Sequence, residues 1–308
     1  MRIPVAVPAG REIDVVGLGQ NTVDHLCVVE RFPAPDTKQR LQALAVEPGG
    51  QIATALVALR RWGARATYLG TFGDDEAGAV SRASLASEGV DVAHAPVRSG
   101  HPNQLSVILV DARTGERTVL WHRPPALALA PGEVPRALIA GARVLHLDGA
   151  DGEAALAAAA MARATGVVTV ADIDVAFAEL DRLLRLVDVL IVSWEFARTL
   201  TGAAAPEAAL ESLERHGAAV VGVTLGSAGA LLAAGGRVLG VAGHAVATVD
   251  TTGAGDLFHA GFIWAMLAGL ELEPALRLAN AAAALQCTRL GGRRAIPTLA
   301  EARALAGL

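Results

Sequence analysis

The stretch Ala247-Thr-Val-Asp-Thr-Thr-Gly-Ala-Gly-Asp-Leu-Phe258, followed by His259, Ala260 and Gly261, decides how this chain is read. Its pattern predicts a strand ending at Val249, a glycine-rich turn, and a helix beginning near Asp256. The first N–H groups of a helix lack partners inside it, and the helix dipole adds positive character behind them. The amides of Gly253, Ala254, Gly255 and Asp256 are therefore expected to form an anion site. Asp256 sets a carboxylate beside those donors, suited to take a proton from a hydroxyl. A transferring phosphoryl group needs this pairing, because its catalysis is mostly positioning and charge stabilisation. An N-cap and a tight turn would account for a bare Gly-Ala-Gly-Asp, but this string is longer than capping requires.

Outward from the loop the chain alternates. Strands are expected over 13–18, 66–69, 144–147, 167–171, 189–192 and 220–225. Helices are expected over 52–62, 77–88, 153–164, 177–186, 256–268 and 274–288. This alternation argues for an α/β fold: a three-layer αβα sandwich around a mainly parallel sheet. Two early excursions, about 20–47 and 99–123, read as short strands, the second a hairpin across 111–116. They predict a small β-sheet lid on one domain spanning 1–308. Ligands of open α/β sheets sit beyond the carboxyl ends of the strands, which places the lid over the site.

Composition removes several function classes. A chain of 308 residues can bury a large core, and its net charge of −5 comes without a basic run. That leaves no footprint for nucleic acid or an anionic membrane. The apolar stretch 218–236 contains Thr224, Ser227 and five glycines, and reads as strand, turn, strand. Cys27 and Cys287 have neither metal-ligand nor redox spacing, and residues 1–11 lack an apolar signal region. A cytoplasmic protein is expected. Lys38, the only lysine, has no glycine-rich loop before it, so neither a P-loop nor a protein-kinase-like site can be built.

The run from Asp250 to Phe258 resembles the second signature of the PfkB/ribokinase-like carbohydrate kinases. A first signature also appears, in Pro48-Gly49-Gly50-Gln51, then 56–63, then Gly70-Thr-Phe-Gly73-Asp74-Asp75-Glu76-Ala77-Gly78. The similarity spans nearly the whole chain. It implies a ribokinase-like fold, Asp256 as catalytic base, and Gly253, Ala254 and Gly255 as the anion hole. It further implies that Asp24, Gly49, Gly50, Gln51, Thr54 and Asp148 face the acceptor sugar; apart from the resemblance, the lid segment offers Arg123 as a further substrate contact. On the nucleotide side it implies Ser193, Thr224, Gly226, Thr252, Asn280 and Ala283. ATP and Mg2+ follow as cofactors, with K+ as an activating monovalent cation, and the exposed lid suggests a homodimer.

Two positions depart from the family pattern. Thr54 stands where asparagine is usual. The family's Asn-x-x-Glu, tied to magnesium, falls on Ser193-Trp194-Glu195-Phe196, so the carboxylate comes one residue early. Glu195 then carries the metal through a shifted turn, or water and phosphate hold it alone. Rival readings are weaker. Gly17-Leu-Gly19 opens like a dinucleotide fingerprint but lacks its third glycine and its helix. Gly222-Val-Thr-Leu-Gly226 outlines a nucleophile elbow with threonine in the serine position. A nucleoside kinase of the same fold, or a sugar- or nucleotide-binding sensor without catalysis, are the alternatives to a sugar kinase. The lid residues Arg117, Trp121, His122 and Arg123 point to a hydroxyl-rich or anionic acceptor.

Overall fold

The computed structural model describes residues 1–308. The chain opens with β1 (Ile13–Leu18), β2 (Thr22–Val29), β3 (Ala43–Gly49), α1 (Gln51–Arg61), β4 (Ala66–Leu69), β5 (Phe72–Gly73) and α2 (Glu76–Ser87). It continues through β6 (Val97–Arg98), β7 (Leu105–Asp111), β8 (Arg117–His122), α3 (Arg136–Ala140), β9 (Ala142–Leu147), α4 (Gly152–Thr165), β10 (Val168–Ala171) and α5 (Leu180–Leu184). Then come β11 (Val189–Ser193), α6 (Trp194–Thr201), α7 (Pro206–Glu214), β12 (Val220–Thr224), β13 (Ala230–Ala234) and β14 (Arg237–Val241). The helices α8 (Ala254–Leu267), α9 (Leu272–Gln286) and α10 (Leu299–Ala306) close the chain.

Eight strands form the main sheet in the order β14-β13-β12-β11-β10-β9-β1-β4. Its pairs are parallel from β12 to β4, and β13 and β14 add antiparallel at one edge. Side chains alternate between two apolar layers, as strand period requires. Val15, Val144, Val189 and Ile191 join α1, α8 and α9 on one face. Val16, Leu145, Leu190 and Val192 join α4 and α7 on the other. From β1 the chain passes to β4 on one side, whereas β9 leads to β10 on the other. The β1–β9 boundary is therefore a topological switch point, where a crevice opens beyond the strand ends.

A second sheet of four strands, β3-β2-β7-β8, stands over that end. Its register puts Glu47, Asp24, Ser106 and Trp121 in one row and Ala45, Leu26, Ile108 and Val119 in the next, facing inward. The alternate rows, Val46-His25-Val107-Leu120 and Leu44-Cys27-Leu109-Thr118, face away. No helix is long and apolar enough to cross a membrane.

Three sequence expectations change. No strand ends at Val249: residues 242–249 run outside the sheet, where Val249 N–H meets Cys287 O at 2.8 Å. The following helix starts at Ala254, which makes Asp256 its third residue. The helix expected over 177–186 shrinks to Leu180–Leu184, because Phe177 turns aside to pack on Gly149 and Gly152.

Candidate active site

Gly253 caps α8 with φ +79, a left-handed conformation that glycine adopts without cost. The turn directs the N–H groups of Gly253, Gly255 and Asp256 away from any internal acceptor. Ala254 behaves differently from expectation: its N–H folds back on Thr251 O at 3.3 Å. A Cβ built on Gly255 would meet no protein atom, so the backbone there faces open cleft. Three donors at the start of a helix of 14 residues can receive an anion.

That site lies in a cleft of about 850 Å³ between the main sheet and the inner face of the small one. Of the residues expected at the site, Asp24, Gly50, Gln51, Thr54, Asp148, Arg123, Ser193, Thr252, Gly253, Gly255 and Asp256 line it. Burial pushes the pKa of Asp256 up to about 8, helped by the nearby Asp172 carboxylate and opposed by Arg117 and His259. Burial also lifts Asp24 to about 6, although Ser106 and Arg293 act against it. Asp24 Oδ1 has no hydrogen-bond partner. Gly49 lies directly beneath this carboxylate, where a Cβ would collide with Oδ2. Gly50, at φ +98, starts α1 against Gln20 O. Both glycines are thus required by close approach of the backbone.

At the switch point Asp148 accepts from Gln20 N–H at 2.7 Å and Ala150 N–H at 2.9 Å. Burial nonetheless raises its pKa to about 7, with Asp174 and Asp151 adding to the rise. Gln51 Oε1 accepts from Gln20 Nε2, and Gln51 Nε2 donates to Asp174 Oδ2. Thr54 is buried against the cleft. Arg123 is occupied elsewhere: both terminal nitrogens bind the buried Asp151 carboxylate at 2.9 Å, and one also donates to Leu127 O. Its charge is neutralised before any ligand arrives.

The other expected nucleotide-side positions, Thr224, Gly226, Asn280 and Ala283, lie outside the cleft lining. Thr224 and Gly226 sit where β12 ends, and Ala283 is half-buried on α9. Asn280 donates to Ala242 O at 2.8 Å. Ser193, at the cleft edge, caps α6, its hydroxyl accepting from Phe196 N–H. Phe196 is buried in the core, and Glu195 points outward, with a side chain 84 % exposed and paired to Arg198. The shifted turn that would have brought Glu195 to a metal is absent. No three His, Cys, Asp or Glu side chains converge as a metal cage.

Sequence reasoning missed Asp172 and Asp174, which follow β10 as Asp148 follows β9. The same rule of acids at strand ends would have found them. Asp172 is buried on the cleft wall, and burial, then the Asp174 charge, pushes its pKa up to about 8. Its Oδ2 lies 3.4 Å from His259 Nδ1, on α8. Arg293 was missed as well. It is buried beneath Gly49, whose carbonyl it binds at 2.9 Å, and no motif marks it in sequence. Arg117 spans from β8 to the anion loop, donating to Thr251 O and Oγ1 at 3.0 Å each.

Comparison with known proteins identifies the family. The model of the pfkB family carbohydrate kinases matches residues 12–299. The ribokinase of Haemophilus influenzae is 29 % identical, over 92 % of this chain and 95 % of its own. An ATP-dependent ribose-1-phosphate kinase of Halopiger xanaduensis is 31 % identical with the same coverage. The crystal structure of a candidate ribokinase from Agrobacterium tumefaciens superposes with a TM-score of 0.89 at 31 % identity, covering 97 % of this chain and 98 % of that one. The chain belongs to the pfkB family of carbohydrate kinases, phosphotransferases that use an alcohol group as acceptor.

Proposed function

We propose that the cleft phosphorylates a hydroxyl of a small neutral sugar with ATP, Asp256 acting as the base. One observation carries this reading: three N–H donors without internal partners stand at the start of α8, beside a carboxylate whose pKa is raised to about 8. A base is most effective when its pKa lies near the operating pH. The acceptor oxygen attacks the γ-phosphorus and its proton passes to Asp256. The bond to the leaving ADP oxygen breaks, while the Gly253, Gly255 and Asp256 amides hold the equatorial charge.

No acidic cage converges at the cleft, so magnesium would be held chiefly by the nucleotide phosphates and water, where it would neutralise developing charge. Asp24, Thr54, Gln51 and Asp148 hold the remaining hydroxyls. The acceptor class follows from charge. Asp24, Asp148, Asp172 and Asp174 line the cleft, Arg123 is neutralised, and Arg117 is turned to the anion loop. Protonated or ionised, these carboxyls offer an anion no positive charge, so the lining favours a neutral polyhydroxy acceptor over a sugar acid. A nucleoside is the second reading, favoured by Trp121 and Phe177 on the cleft wall, whose rings offer stacking faces.

The whole chain acts as one kinase unit in this reading, with the small sheet closing over the acceptor to exclude water. The hairpin between β7 and β8 already touches the anion loop, since Thr251 N–H donates to Gly115 O at 3.2 Å.

ADP release with magnesium, ATP and a panel of sugars, sugar acids and nucleosides tests the proposal. Asp256→Asn should lower kcat by about 10²–10⁴ while ATP binding persists. An unchanged kcat removes Asp256 from its role. Silence of the wild type across the panel, with ATP still raising Tm, would favour a sensor.

A further inference from the structure

Under the anion loop lies a cage of carbonyl oxygens. Those of Thr252, Gly291 and Gly292 converge on one atom, Gln286 Nε2, at 3.0, 3.0 and 2.8 Å. Gln286 is the last residue of α9, and none of it is exposed. The Asp250 carboxylate ties the same two segments together. Its Oδ1 accepts from Thr252 N–H and Oγ1 at 2.9 and 2.7 Å, and its Oδ2 accepts from Gly291 N–H at 2.9 Å. Gly253 rests on the amide, and a Cβ there would lie 3.0 Å from Nε2.

This donor chemistry suits a monovalent cation, for which rings of backbone carbonyls replace the hydration shell. The centre is instead filled by an NH2 group. The flipped amide would set Oε1 against three carbonyl oxygens, so the network fixes the orientation. An amide has only two hydrogens for these three acceptors, while Oε1 is left without a partner. Hydrogen-bond economy alone does not explain a glutamine here. Replacement of a cation does.

The activating potassium ion that the sequence resemblance implies therefore does not fit the residues present. We propose that Gln286 is an internal substitute for a monovalent cation: it holds the Thr252–Gly253 segment against Gly291–Gly292 and frees the anion loop from any potassium requirement. The inference rests on reading Gly253–Asp256 as the phosphate loop, but its test does not need turnover.

Thermal unfolding of the wild-type chain is measured in potassium chloride and in tetramethylammonium chloride at equal ionic strength, with and without ATP. Equal Tm values and equal ATP-induced shifts are expected. A potassium-specific gain of more than about 3 °C in the wild type overturns the proposal. Gln286→Ala opens the cage. It should lower Tm in tetramethylammonium, recover in potassium, and gain a bound-thallium NMR signal that the wild type lacks. Loss of stability without cation rescue would make Gln286 a plain packing residue and also overturns the proposal. If Gln286→Ala does not fold, the smaller change Gln286→Ser supplies the rescue arm, and the wild-type comparison stands by itself. Absence of any ATP shift would count against the phosphate-loop reading, while the potassium arm on the ligand-free chain still decides the role of Gln286.

Discussion

Asp256 and Asp172 share one low-dielectric wall, and each resists ionisation partly for that reason. For Asp256, burial comes first and the Asp172 charge second. In its proposed role Asp256 must be ionised to accept a proton, so kcat/KM should rise with pH toward a limb near 8. Asp172→Asn removes the repelling charge and should move that limb to lower pH by on the order of one unit. The same variant has a stability signature. In the unfolded chain Asp172 ionises near the ordinary carboxylate pKa, whereas the folded chain keeps the proton until about 8. The folded state binds more protons in that window, so stability falls as pH rises through it. Asp172→Asn should therefore raise Tm at about pH 8 by on the order of 2–4 °C and change it little at about pH 4. A fixed pH limb would separate Asp172 from the base. The residue scale also shows what sequence could reveal. Asp256, Asp24 and the glycine pair stand in motifs because close backbone approach, and the proton transfer proposed for Asp256, tolerate few residue types. Arg123 lines the cleft as expected, but its ion pair was not legible, because Asp151 lies 28 residues away and no local pattern encodes its approach.

At the scale of elements, α8 carries two glycines with opposite duties. Gly261 lies against α9, where a Cβ would meet Ala279 Cα at 2.8 Å, and backbone cannot yield as a side-chain tip can. Gly261→Ala should force the helices apart and cost about 1–3 kcal/mol in urea unfolding. Gly255 has open space around it. Gly255→Ala should leave stability unchanged or slightly improved, since alanine is the better helix former, yet lower kcat/KM about tenfold or more by crowding the incoming phosphate. Equal stability losses in the two variants would contradict this division. Most elements were legible in sequence because their apolar periods are strong: β1, α1, β9 and β11 fall within two residues of expectation. The segment before α8 was not. Ala247, Val249 and the apolar residues around them resemble a strand by composition, and only tertiary pairing decides that β14 closes the sheet edge instead. α8 itself begins two residues early because Gly253, not Asp256, supplies the left-handed cap.

For the molecule as a whole, the small sheet poses a packing question, since it is apolar on both faces. Its inner rows close the cleft, and Leu26 and Ile108 bury a small core there. On the outer rows Leu44 is 61 % exposed, Val46 52 % and Leu120 57 %. Exposed apolar residues scattered singly need no explanation, but three in adjacent register rows form a patch. A second copy of this chain is the occupant we propose, because a patch on a sheet can pair with itself across a two-fold axis. Sedimentation should then give a dimer of the 308-residue chain. Leu44→Glu combined with Leu120→Glu should yield monomers, because burying like charges in a shared interface is strongly unfavourable. Neither residue lines the cleft, so the double variant should retain ATP binding, and loss of binding together with dimerisation would point to a structural defect. A wild type that sediments as a monomer at every concentration would leave the outer rows exposed and refute the pairing. If the dimer forms, it also limits how the small sheet moves: two sheets joined back to back would fix each other, so that closure over the acceptor would come from the main body rotating beneath a shared roof.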